Sequence, residues 1–328
     1  MIVKDMLSGI KDLDFEKVYI LGRKATAYKA EALVEQYSLD AAFFDYDDLL
    51  ASDVDTVYVA LPNYLHYSFT KKALLAGKNV IVEKPFFANC EEYSEMRTLA
   101  AEKNLFLLEA STVAYFPIMA KLREELHKIG RIRFINANYS QYSSRYDRFL
   151  AGEDFPVFDI NQAGGALVDL NVYNINFVTC LFGAPKSVTY SANISRNIDT
   201  SGVLLMAYDD FKAVCIGAKD CKAPSSTVIQ GEKGMISFAQ NLNCATAFTL
   251  TMNDGSTEYF SIENPHHRLF YEFAAFIKII AAGDREKADR MLDFSAVTME
   301  VLQEARRQQK LIYPSDKAPA SEKSFWGL

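Results

Sequence analysis

Three groupings in this chain could do chemistry. The first is Glu83-Lys84-Pro85, which closes a short apolar run from Asn79 to Val82. A proline disfavours helical geometry in the residue before it and makes a cis peptide accessible, so Lys84 is expected in a defined, non-helical position; a surface lysine ahead of a turn proline is the plainer alternative. The second is Gly164-Gly165-Ala166-Leu167-Val168-Asp169-Leu170-Asn171-Val172-Tyr173-Asn174-Ile175-Asn176, read as opening a helix that runs to Phe182 and stops at Gly183. Asp169, Tyr173 and Asn176, at i, i+4 and i+7, would then share one face. An acid, a phenol and an amide on a helix rich in Leu, Val, Ile and Phe need partners if buried, so the stripe is either a structural network or a reaction site. An unperturbed phenol, with a pKa of about 10, is a poor base at neutral pH, and a neighbouring ammonium lowers it in the useful direction. The third grouping, Tyr139 to Tyr146, supplies hydroxyls, the Gln141 amide and the Arg145 guanidinium, suited to sugar hydroxyls or an anionic substituent, or equally to a polar sheet edge.

The elements that position these groups follow from periodicity. Asp55 to Leu61 is a nearly continuous β-branched and apolar run, the pattern of a strand buried on both faces of a parallel sheet. A helix from Leu65 to Ala76, ending at Gly77, leads into the Asn79 strand. The βαβ unit so formed places ligands at the carboxyl ends of its strands, where Leu61-Pro62-Asn63 and Glu83-Lys84-Pro85 fall. Upstream, a helix is expected over Ile2 to Ile10, a strand over Lys17 to Leu21, a helix from about Thr26 to Tyr37 and a β-α step over Ala42 to Ala51. Downstream, Asn89 can cap a helix and Leu105 to Leu108 is the next strand. This alternation predicts an α/β domain, a Rossmann-like doubly wound parallel sheet, over residues 1–112. Beyond it, after a helix from Met119 to Lys128, extended runs start at Ile132, Ser187, Gly202, Ala213, Ser226, Gly234, Ala247 and Ser256. They predict an α+β domain with a large, mainly antiparallel sheet over 113–328, whose C-terminal segment packs back on the first domain.

ALPNYLHY followed by AGKNVIVEKP resembles the signature of the glucose-fructose oxidoreductase, inositol dehydrogenase and MocA family, and GGALVDLNVYNIN resembles its second signature. The resemblance implies an NAD(P)-dependent dehydrogenase or reductase acting on a sugar, cyclitol, dihydrodiol or related alcohol or carbonyl. It implies Lys84, Asp169 and Tyr173 as catalytic residues, with tyrosine rather than histidine at 173 pointing to the branch containing dihydrodiol dehydrogenases. Leu61, Pro62, Asn63, His66 and Glu83 would serve the cofactor, and Tyr115, Arg145 and Asn176 the substrate. Tyr115 stands where many members carry an arginine, and Ala163 where a glycine is usual. The resemblance also implies a homodimer or higher oligomer through the second-domain sheet.

Arg23 and Lys24 follow the second strand, where NAD-specific folds place an acid for the ribose 2'-hydroxyl. Two cations there favour NADP(H) over NAD(H) through charge-assisted bonds to a 2'-phosphate, unless they form a solvated basic turn. No G-x-G-x-x-G occurs in the first 110 residues. Relative to the family, roughly ten residues bearing the first strand and phosphate loop are missing, a length typical of a strand and short turn. A start at an internal methionine, true loss of the loop, and a chain outside the family all account for this. The expectation for a chain starting at Met1 is poor solubility or weak nicotinamide binding; the alternative function is a non-catalytic sugar- or cofactor-binding protein.

The formal charge of -7 over 328 residues argues against a nucleic-acid partner and favours small molecules. Cysteines 90, 180, 215, 221 and 244 form no metal-ligand spacing and read as free thiols in a reducing cytoplasm. The first residues lack a signal peptide's pattern, and the longest apolar stretches carry a lysine or are too short to span a bilayer, so no membrane association is expected. Asn264-Pro265-His266-His267-Arg268 is read as the start of a helix. Its adjacent histidines point apart, and no metal site is assigned there. The tail after Pro314 is polar and expected to be loosely held until Phe325-Trp326.

Overall fold

A computed structural model describes residues 2–263 and 265–317. Asn264 and the tail from residue 318, with Phe325-Trp326, lie outside them. The chain ahead of residue 318 is pinned, because Arg306 Nη1 donates to Asp316 Oδ2 at 2.7 Å.

Five short parallel strands come first: β1 (Tyr19–Leu21), β2 (Ala41–Phe43), β3 (Thr56–Val59), β4 (Asn79–Glu83) and β5 (Leu107–Ala110). They form two separate sheets, β1-β2 and β3-β4-β5. The central strand β4 is buried on both faces, as its unbroken apolar run requires. Val80 and Val82 point into one core with Leu74 and Met96, whereas Ile81 points into another with Leu7, Leu108 and Phe276. The chain returns from its C-terminal end to cover both faces. Helix Phe270–Ala282 brings Phe273, Phe276 and Ile279 to one side, and helix Arg285–Gln308 brings Leu292 and Met299 to the other. Each such side chain contributes about 1.5–3 kcal/mol when fully buried.

The second sheet has eight strands: β6 (Ile132–Ser140), β7 (Ser187–Ser195), β8 (Ile198–Ala207), β9 (Lys212–Ala218), β10 (Ser226–Gly231), β11 (Gly234–Phe238), β12 (Ala247–Met252) and β13 (Thr257–Ser261). Their order is β13-β12-β11-β10-β6-β9-β8-β7. Every neighbouring pair is antiparallel except β6 and β9, which run parallel. One face packs on helix Val172–Phe182, through Ile175, Phe177 and Val178. The other leaves Phe134, Val203, Leu205 and Met235 exposed. The stretch with the length and apolarity of a membrane span, Ile160–Phe182, is mostly buried inside this domain.

That stretch departs from the expected regular helix. Residues Leu167–Asn171 form a π turn before the α-helix begins at Val172. The turn sits directly on β9 because Gly217 has no side chain there: a Cβ would come within 2.6 Å of the Asn171 Cβ. Asn171 and Asn174 donate to the carbonyls of Cys215 and Ile216 at 3.1 and 2.9 Å. The wide turn breaks the i, i+4, i+7 alignment. Asn176 consequently points into the interior rather than beside Asp169, and is fully buried between Ser111 Oγ and Thr298 Oγ1, each 2.8 Å away.

The turn is anchored by Asp199, which accepts from Leu167 N at 2.7 Å and from Tyr190 Oη at 3.0 Å. Gly165, at φ 123°, passes so close that a Cβ would lie 2.1 Å from Asp199 Oδ1. Gly165→Ala is therefore expected to lower stability by about 2–4 kcal/mol, through backbone strain and displacement of this anchor. Urea denaturation checks this; a midpoint equal to the parent's would show that the anchor is dispensable.

Candidate active site

The two domains meet at Lys84. It follows β4, its peptide bond to Pro85 is cis, and its side chain is 12% exposed. Its Nζ donates to the Asp169 carbonyl at 2.9 Å and to Asp169 Oδ1 at 3.4 Å. The same ammonium lies over the Tyr173 ring, 4.5 Å from its centroid. The π turn brings Asp169 here, and the first turn of the following helix brings Tyr173. The expected cluster of lysine, aspartate and tyrosine is thus assembled across the domain junction.

A fourth member was not foreseen. Lys219, immediately after β9, pairs with Asp169 Oδ2 and is only 7% exposed. Its one sequence signal is a lysine at a strand end, and the following Asp220-Cys221-Lys222 gives that the look of a solvated turn. Burial opposes the Asp169 charge, but Lys219 and Lys84 outweigh it and hold the carboxyl at about 2. Burial also opposes the Lys84 ammonium, and Tyr173, Asp169 and Glu83 outweigh it, holding this lysine above its usual range. For Tyr173 burial wins: Lys84 and Arg268 pull the phenol down, yet it stays above its ordinary value. The expected direction of the Lys84 effect is present, and desolvation overrides it in sum.

Other residues singled out from the sequence have their polar atoms engaged in packing contacts or stand apart from the Lys84 cluster. His66 is fully buried, its ring nitrogens facing Leu61 O at 2.9 Å and Pro85 O at 3.0 Å, so it clamps two strand ends and leaves no atom for a ribose. Glu83 accepts from Tyr58 Oη and from Lys84 N at 3.2 Å, and is likewise enclosed. Asn63 Nδ2 donates to Ala163 O at 2.7 Å, tying the domains together; Ala163 itself holds a left-handed φ of 54°. Leu61 has its carbonyl on His66, and Pro62 beside it is exposed. Tyr115 packs edge-on against Phe276 with 5.0 Å between centroids. Its Oη is buried without a hydrogen-bond partner, as are both carboxyl oxygens of Glu272, so Tyr115 belongs to the core rather than to the substrate side. Arg145 is half-buried at the head of the short helix Tyr146–Leu150, whose Tyr146 packs on Phe158. Asp5 bonds His267 Nε2 at 3.1 Å and pairs with Arg268, fastening helix Ile2–Ile10 to the segment before helix Phe270–Ala282.

A dinucleotide would find a partial fit. Arg23 and Lys24 stand exposed just beyond β1, Lys24 lying 4.0 Å from Asp45 with its side chain 75% exposed, and both can meet a phosphate. Asp169, 29% exposed, opens the Lys84 cluster to a ring placed at the strand ends. Glycine-rich turns that cradle a pyrophosphate do not occur among the described residues of the first domain.

Parallel strands ending at a buried lysine, beside an aspartate and a phenol from an antiparallel domain, define an NAD(P)-dependent oxidoreductase. Residues 11–110 match the oxidoreductase family with an NAD-binding Rossmann fold, and residues 120–237 match the GFO/IDH/MocA C-terminal domain. The chain is 34% identical to scyllo-inositol 2-dehydrogenase (NADP+) IolU of Bacillus subtilis, over 95% of this chain and 94% of that protein. It is 28% identical to trans-1,2-dihydrobenzene-1,2-diol dehydrogenase of Mus musculus, again over 95% and 94%. The chain belongs to the GFO/IDH/MocA oxidoreductase family. Its fold superposes on a 3-ketoreductase from Actinomadura kijaniata solved with NADP, with TM-score 0.78 and 20% identity over 92% of each chain. An aldose-aldose oxidoreductase from Caulobacter crescentus gives TM-score 0.76 and 19% identity over 92% of this chain and 93% of that one.

Because the Asp169 carboxyl falls from its ordinary 3.8 to about 2 on folding, its charge stabilises the native state above pH 4 by about 2 kcal/mol. That contribution is lost as pH falls from about 4 towards 2. Asp169→Asn is expected to be less stable at neutral pH, with the difference from wild type shrinking across that window. Melting temperatures of both proteins from pH 7 to pH 2 measure it, and a pH-independent difference would contradict the assignment.

Proposed function

We propose that this protein transfers hydride between NADP(H) and the carbinol or carbonyl carbon of a polyol, sugar or dihydrodiol. The observation that supports it best is the convergence of Lys84, Asp169 and Tyr173 at one point between the domains. When bound, the nicotinamide supplies or accepts the hydride, and the protein's own residues manage the proton and the charge at the substrate oxygen. Tyr173 exchanges the proton there. Lys84 stabilises the negative charge that builds on that oxygen or on the phenol. Asp169 orients Lys84, receiving it at a carbonyl and at a carboxylate oxygen of one residue.

NADP(H) is favoured over NAD(H) by the two exposed cations beyond β1, and IolU, similar over nearly its whole length, is named for NADP+. Arg145 is the remaining candidate of the original substrate set. The open face of the eight-stranded sheet, with Phe134, Val203, Leu205 and Met235, is read as a homodimer interface, since a contiguous apolar patch of this kind marks an association site. The five unpaired cysteines support a reducing cytoplasm.

With scyllo-inositol and NADP+ as the first probe pair, and other polyols after it, Lys84→Ala is expected to reduce turnover by about a thousandfold or more. NADPH affinity, followed by calorimetry, should stay within severalfold. Unchanged turnover with any accepted substrate would sink the role given to Lys84. Exchanging Arg23 and Lys24 together for alanine should cost about 10–100-fold in kcat/KM with NADPH and little with NADH. Equal losses with both would refute the 2'-phosphate contact. A Phe134→Glu, Val203→Asp double variant should run as a monomer in light scattering where the parent is a dimer.

A further inference from the structure

Lys219 is a buried cation with no role in the reaction as set out above. Its backbone is fixed from two sides, its N donating to Thr200 O at 2.8 Å and its carbonyl accepting from Ser143 N at 2.9 Å. Its side chain passes the Phe158 ring, 5.5 Å from the centroid, and ends on Asp169 Oδ2. Asp169 Oδ1 faces Lys84. One carboxylate therefore lies between two ammonium groups, one from each domain.

The charge count around Tyr173 gives this a meaning. The groups facing it are Lys84 and Glu83 from the end of β4, Arg268 from the segment before helix Phe270–Ala282, Asp169 from its own helical stretch, and Tyr139 from β6, whose ring centroid lies 5.9 Å away. Arg268 is paired with Asp5, and Glu83 is enclosed with Tyr58. Glu83 also acts on Lys84, but Asp169 is the carboxylate in direct contact with its ammonium and the one that Lys219 reaches. A carboxylate in contact with Lys84 offsets part of the field that this ammonium casts on the phenol, because Coulomb terms of opposite sign subtract. A second cation on the far oxygen counters that offset.

Resting on the function proposed above, we propose that Lys219 is a positioning residue: it holds Asp169 by one oxygen and balances its charge, so that Lys84 faces Tyr173 as an uncompensated cation. Lys219 touches neither substrate nor cofactor in this scheme and acts only through Asp169.

The test follows ionisation of Tyr173 directly, without substrate. The protein is labelled throughout with a ring-fluorinated tyrosine, whose phenol ionises nearer neutrality, and the residue 173 signal is assigned in the fluorine NMR spectrum by its loss in Tyr173→Phe. Lys219→Gln keeps a hydrogen-bond donor and removes the charge; it is expected to move the Tyr173 midpoint up by about one pH unit, a tenfold change in ionisation constant. Lys219→Arg should restore the parent midpoint. The Lys219→Gln, Asp169→Asn double variant removes one charge of each sign, leaves Lys84 unbalanced again, and should return most of the shift. It also keeps the test open if Lys219→Gln alone folds poorly. A midpoint in Lys219→Gln equal to the parent's, or a double variant no closer to the parent than that single variant, overturns the proposal. Turnover is read separately: a Tyr173→Phe variant with full activity would overturn the reading of Tyr173 as proton carrier and leave the Lys219 result standing.

Discussion

The Asp169 carboxylate keeps its charge where burial alone would neutralise it, because ammonium groups reach it from opposite domains. Lys84 arrives from the end of a parallel strand and Lys219 from the end of an antiparallel one. Removing either partner from so enclosed a group leaves charge unmatched, which costs far more than an exposed ion pair would. The domain junction is consequently held by charge from both sides. Asn63 on Ala163 O and Asn176 between Ser111 and Thr298 reinforce it with bonds between uncharged groups.

Around that junction several buried polar groups serve packing rather than chemistry. His66 spends its ring on two main-chain carbonyls, and Glu83 is occupied by Tyr58 and the Lys84 amide. Both stand immediately beside Lys84 and keep its backbone in place. A residue's position at a strand end is therefore a poor guide to whether its side chain faces a ligand. What decides is whether the side chain reaches the surface: Arg23 and Lys24 are exposed, and Asp169, though paired on both oxygens, is 29% exposed.

Most of the architecture was legible from alternation and periodicity. The eight strands of the second sheet fall at the expected extended runs, with clear alternation in β6 and β7 and a start for β8 at Ile198 rather than Gly202, and β4 falls where the apolar run is unbroken, since burial on one face or two leaves distinct residue patterns. The π turn at Leu167–Asn171 was not legible. It depends on Gly217 and Asp199, which are remote in sequence and meet the turn only in the folded sheet. Asn176 was misplaced for the same reason, because a helix extrapolated without the wide turn puts it on the wrong face. Lys219 escaped notice because a lysine at a strand end next to Asp220 has an ordinary surface explanation, and burial is a property of the fold rather than of the residue.

Both faces of the β3-β4-β5 sheet are finished by chain that lies beyond residue 268. During synthesis the strands up to Ala110 emerge long before Phe276, Leu292 and Met299, with the whole antiparallel domain translated in between. At 5–20 residues per second the delay is on the order of ten seconds or more. Val80 and Val82 are met by Leu74 and Met96 of the first domain itself, but the Ile81 face has yet to receive Phe273, Phe276 and Ile279. The first domain is therefore encoded in two separated pieces, and its Ile81 face is complete only when the chain beyond residue 268 packs back on it.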